Sequence, residues 1–159
     1  MTSARLLLMP FVISLLWTAS PAHAAHYRIV DVADVVPAEH HRALAAAGVV
    51  TTEHLYDRTA RKRDRRRLAR ATGIEYGTLT KWAIFIDLMQ IRGIGPKMVR
   101  LMNASGIGRL KDLKRAKAAP LLKAMRKANR GFRYSRVLPD VGVISRWIIR
   151  AGRKRARLQ

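Results

Sequence analysis

Apolar residues recur at helical spacing along most of the chain, with charged residues on the opposite sides. Met98, Leu101 and Met102 stand at i, i+3 and i+4, with Lys97 and Arg100 facing away; Pro96 suits a first turn and Gly106 a C-terminal stop. Leu121, Leu122, Met125 and Ala128 predict another amphipathic helix after Pro120. Asp140 suits the cap of a last helix that buries Val141, Ile144 and Ile148. Residues 79–89 are apolar nearly all round, which predicts a helix enclosed by its neighbours. No stretch alternates apolar and polar positions as a half-buried strand does, so the expected fold class is all-α.

The pattern also repeats. Val32-Ala33-Asp34-Val35-Val36-Pro37 leads through Leu44 to Ala47-Gly48-Val49 and Leu55, and Ile91-Arg92-Gly93-Ile94-Gly95-Pro96 leads through Met102 to Ser105-Gly106-Ile107 and Leu113. Leu79-Thr80-Lys81-Trp82 corresponds in the same way to Ile144-Ser145-Arg146-Trp147. Two helical repeats are expected, at about 27–86 and 87–151, packed into one domain over 25–151 and followed by a basic tail at 152–159.

The first residues follow different rules. Arg5 precedes an apolar stretch from Leu6 to Trp17, and Ser20-Pro21-Ala22-His23-Ala24 has the small-residue pattern of a cleavage site. Residues 1–24 read as a secretory signal peptide; the stretch falls short of the ~20 residues a spanning helix needs. An uncleaved anchor and a misassigned start codon are the alternatives, and nothing later in the chain resembles a membrane span.

Charge narrows the partners. The 159 residues carry 32 Lys and Arg against 10 Asp and Glu, a net +22, and only Arg5 of these lies in the leader. At 49% hydrophobic the chain is too apolar for a disordered basic tail, so a packed core coexists with the charge. The absence of cysteine excludes disulfides, cysteine-based metal sites and thiol nucleophiles.

The segment Ile91-Arg92-Gly93-Ile94-Gly95-Pro96-Lys97 is the most informative, and it resembles a helix-hairpin-helix motif. Glycine allows the tight turn and lets backbone N–H groups approach a phosphate, while the next helix presents its positive end. In such motifs the contact is with the DNA backbone, which carries no base information. The resemblance places that role on Gly93, Gly95 and Lys97, and the candidate nucleic-acid-binding set adds Arg92, Ile94 and Arg100 around them. The competing reading is a turn that only packs, with glycine serving close backbone approach. In the first repeat Asp34 and Val36 replace the two glycines, so that turn is expected to be a structural partner.

Together, the paired turns, the Asp87-Leu88-Met89 lead into the second turn and the Gly106-Ile107 to Leu113 continuation resemble the family catalogued as domain of unknown function 4332, over roughly residues 27–151. The resemblance implies a helix-hairpin-helix fold and, by analogy, nucleic-acid contact, but no activity. Exported proteins of this motif that bind incoming DNA, such as the competence DNA receptor, are the nearer analogy.

Other cations extend the candidate surface. Arg61, Lys62, Arg63, Arg65, Arg66, Arg67 and Arg70 form the densest run, expected to surround most of a helix and to require an anionic partner. Lys123, Arg126, Lys127, Arg130, Arg133 and Arg136 surround Phe132 and Tyr134 in sequence, a mixture that suits either phosphate pairing with base stacking or aromatics plugging the core. Arg150, Arg153, Lys154, Arg155 and Arg157 read as a flexible electrostatic tail.

Nothing points to catalysis. The acids are scattered without metal-ligand spacing, and His40 and His41 diverge by about 100° on a helix, so they read as surface histidines. Asp87 reads as a buried structural carboxylate held by an arginine or by backbone N–H groups. The expected function is therefore non-enzymatic, without cofactor or metal: sequence-independent binding of double-stranded DNA outside the cytoplasm. The alternative is an electrostatic adaptor for an anionic membrane surface or an acidic protein, with the turns as scaffold.

Overall fold

The computed structural model describes residues 26–155, 157 and 158, so the expected leader lies outside the described residues. The fold is all-α. Short 3-10 turns at Ile29–Val32 and Ala38–His40 lead into α1 (His41–Ala46), α2 (Thr52–Thr59), α3 (Lys62–Thr72) and α4 (Tyr76–Met89), and then into α5 (Pro96–Ala104), α6 (Leu110–Arg115), α7 (Ala118–Phe132) and α8 (Val141–Arg153). Among the described residues the only β pairing is an isolated bridge between Arg28 and Thr51.

The turns after α1 and α5 close alike. Gly48 (φ 75) and Gly106 (φ 87) take the left-handed conformation, and the next amide reaches back in each, Val49 N to Leu44 O at 2.8 Å and Ile107 N to Met102 O at 2.9 Å. The helix starts are fixed locally too: the Thr51 side chain accepts from His54 N at 3.1 Å, and Asp140 Oδ1 accepts from Val143 N at 2.7 Å, the cap expected for α8.

One apolar cluster joins both halves. Leu44, Leu55, Tyr56 and Leu68 from the first meet Leu101, Met102, Leu113, Met125 and Ile144 from the second. The enclosed segment is α4, which packs on α2, α3 and α5 and buries Leu79, Trp82, Ala83, Ile86, Asp87, Leu88 and Met89. In α8 the buried row is Ile144, Trp147 and Ala151, whereas Val141 is exposed and Ile148 only partly covered. Trp147 takes the inward position where Gly93, which has no side chain, leaves room for the indole.

Two further expectations change. The tail is not loose: Lys154 Nζ donates to Gln90 O at 3.2 Å, the Lys154 carbonyl accepts from Lys114 Nζ at 2.8 Å, and Arg157 pairs with Asp57 at 2.9 Å while lying over the Tyr56 ring. Arg157 thus lies against α2. The two histidines are not free surface groups either, since His40 packs edge-on to Trp82 and His41 Nε2 lies 2.8 Å from the Val36 carbonyl.

Candidate nucleic-acid interface

The turn between α4 and α5 is anchored by two isoleucines and opened by two glycines. Ile91 and Ile94 are both buried, and Ile94 N donates to Ile91 O at 3.0 Å. Gly93 has φ 91, a conformation that disfavours any side chain. Gly95 is extended, and its carbonyl accepts from both Met98 and Val99, each at 3.0 Å, to start α5 with Pro96 in its first turn. Among the described residues, the Gly93 and Gly95 amides reach no acceptor.

Both glycines also serve packing. A Cβ at Gly93 would lie 3.0 Å from Trp147 Nε1, and one at Gly95 would lie 2.7 Å from Tyr27 Oη. Gly93→Ala is therefore expected to destabilise the fold by roughly 1–3 kcal/mol, from backbone strain plus displacement of the indole. Urea unfolding of the variant beside the native chain measures this.

The glycines, Lys97 and Arg100 line one cleft of about 420 Å³, together with Tyr27, Asp31 and Asp34. Arg100 is ion-paired with Asp34, so it ties the start of the described chain to α5 and is not an open phosphate contact. Two carboxylates thus face two cations inside the cleft, and only the outer rim, with exposed Arg92, Gly93 and Lys97, is open to an anion. Ile94 belongs to the core: neither its side chain nor its bonded amide can meet a phosphate. Arg150 Nη1 donates to the Arg92 carbonyl at 3.0 Å and steadies the rim.

The arginine run on α3 is one-sided. Lys62, Arg63, Arg66, Arg67 and Arg70 are exposed and, at 100° per residue, cover an arc of about 140°. Arg61, at the N-cap, is exposed beside them. Arg65 belongs to the opposite row with Leu68: it is 2% exposed, donates to the Thr59 and Ala60 carbonyls and to Tyr76 Oη, and stacks over the Tyr76 ring. The expected all-round cationic helix is thus corrected, because its apolar stripe runs through Arg65. On α7, Lys123, Arg126 and Arg130 share a separate groove with Val141, and Arg133 is exposed at the helix end.

Asp87 is buried as expected, with Tyr56 as its side-chain partner, Tyr56 Oη donating to Asp87 Oδ1 at 2.6 Å, and with the Leu110 backbone N–H acting on it as well. Burial pushes the carboxyl above its ordinary value, against the pull of the Tyr56 hydroxyl and the Lys154 and Lys114 ammonium groups. Burial and Asp87 likewise hold the Tyr56 hydroxyl protonated well above the tyrosine range. A raised carboxyl favours folding while protonated, and that advantage is lost as pH rises through the folded value. Asp87→Asn, scanned thermally, is expected to gain stability relative to the native chain as pH rises from the ordinary carboxylate range through the raised folded value.

Among the described residues, no three His, Asp or Glu side chains converge to hold a metal ion, and no helix is long and apolar enough to cross a membrane. A family model described as a domain of unknown function matches residues 35–154. The chain belongs to that family, DUF4332. The DUF4332 match takes in the second turn, α3 and α7, but begins after Tyr27, Asp31 and Asp34, which line the cleft. Neither the curated proteins nor the solved structures contain a significant match to the chain.

Proposed function

We propose that this protein is an exported, non-enzymatic, sequence-independent nucleic-acid-binding protein that holds double-stranded DNA by its phosphates. In this reading the two halves are helix-hairpin-helix repeats, the second turn supplies the rim of Arg92, Gly93 and Lys97 with Gly95 set behind it under Tyr27, and α3 supplies the main cationic face. The observation that carries it is the α3 arc, where five exposed cations point away from the core on one helix. Like charges so arranged repel one another and gain from an anion that spans them. A duplex does so, with one phosphate charge per about 1.7 Å of its axis. Export rests on the leader-like residues 1–24.

A second reading is favoured by Asp31 and Asp34, which offset the cleft cations and leave the turn as scaffold. The cationic faces then serve an anionic membrane surface or an acidic protein. Fluorescence anisotropy of the full chain with duplexes of unrelated sequence, at low salt, decides between them. The nucleic-acid reading expects equal affinity for every duplex, whereas failure to bind any of them, with capture by phosphatidylglycerol vesicles, would favour the adaptor.

A further inference from the structure

We infer that the end of α7 is a docking site for an unpaired nucleobase, with Phe132 as the stacking surface. The inference rests on the nucleic-acid reading and extends its ligand from duplexes to single strands.

The turn after α7 is built to hold a ring outward. Arg133 caps the helix at φ 47 and, among the described residues, is the one non-glycine residue with positive φ. Asn129 clamps the far side of the turn: its Nδ2 donates to Ser135 O at 2.9 Å and its Oδ1 accepts from Ser135 N at 3.0 Å. Ser135 Oγ then donates to Val137 O at 2.7 Å. These bonds fold the chain back so that Tyr134 lies beside Phe132, ring centroids 5.4 Å apart and planes tilted by 30°. Tyr134 is partly buried against the core and serves as the anchor, while Phe132 is left 71% exposed. A ring supported by a second ring and open to solvent offers its π surface to any base.

The surrounding charge selects the ligand. From Leu113 to Pro139 the chain has nine Lys and Arg and no Asp or Glu. Arg130, Arg133 and Arg136 are exposed around the same turn. The exposed large apolar groups there, Phe132 and Val137, alternate with these guanidinium groups, which suits one flat ring next to phosphates rather than a lipid surface. A duplex keeps its bases stacked within the helix, so single strands, overhangs and loops are the ligands that can use the ring.

The test compares an oligothymidine and a random duplex of equal length by anisotropy, using the full chain and its Phe132→Ala and Phe132→Trp variants. Phe132→Ala removes only an exposed ring, and circular dichroism checks that it stays folded. It is expected to weaken oligothymidine binding about tenfold and leave duplex binding unchanged. Phe132→Trp is expected to restore single-strand affinity, with fluorescence quenched on binding. Unchanged oligothymidine binding by Phe132→Ala, with duplex binding intact, overturns this inference alone. Absence of binding to either oligonucleotide by the native chain overturns the nucleic-acid reading as well. Loss of phosphatidylglycerol vesicle binding by Phe132→Ala, with oligothymidine binding retained, assigns the ring to a membrane and overturns the inference.

Discussion

Replacing Arg63, Arg66, Arg67 and Arg70 by Gln is expected to reduce duplex DNA affinity by roughly a thousandfold or more at 0.1 M salt while leaving the protein folded. All four side chains are exposed on the outer arc of α3. Each cation that neutralises a phosphate releases condensed counterions and contributes a log–log salt slope of about −0.9, so losing four contacts flattens the slope by about 3.6. Salt titration of the variant by anisotropy reads both quantities. An unchanged slope would remove α3 from the interface, and a proportional loss of binding to anionic vesicles would mean that total charge, not DNA geometry, decides.

Arg65→Ala, in the middle of the same run, is expected to do the opposite and cost stability. Its guanidinium is buried against α2 and α4, where it satisfies the carbonyls of Thr59 and Ala60 and lies on the Tyr76 ring. Removing it leaves two acceptors at the end of α2 without their donor and opens a hole beneath α3. The expected loss is about 2–4 kcal/mol, from the hydrogen bonds of a buried charged donor and the cavity its side chain leaves. Urea unfolding measures it, with Arg66→Ala as the exposed control within about 0.5 kcal/mol of the native chain. Equal small effects for the two would contradict the packing described for α3.

These neighbours show which features are local enough to be legible in a sequence. Helical periodicity predicts α5, α7 and the enclosed α4, because apolar spacing is a local property. The inward place of Arg65 is also encoded, since Leu68 at i+3 and Thr72 at i+7 define a row that includes it, but seven cations in ten positions obscure that row. The Tyr56–Asp87 bond has no such signal, because its partners are 31 residues apart and belong to different helices. The same holds for the second turn. Its glycines are legible from their spacing, whereas Tyr27 against Gly95 and Asp34 against Arg100 arise only when the two halves pack together. Burial of Trp147 rather than Val141 comes from that packing too, since Gly93 makes the room for the indole. The aromatic pair at the end of α7 is visible as composition, but the exposure of Phe132 depends on the Asn129 clamp.

The most direct measurement is an amide-resolved NMR titration of the full chain with a short random-sequence duplex. Gly93 and Gly95 have amides that reach no acceptor among the described residues, and Lys97 lies just beyond them at the start of α5. These three amides and the exposed residues of α3 are expected to shift together, and the shifts to vanish as salt is raised. Shifts confined to other surfaces, or none at low salt, would contradict the proposed interface.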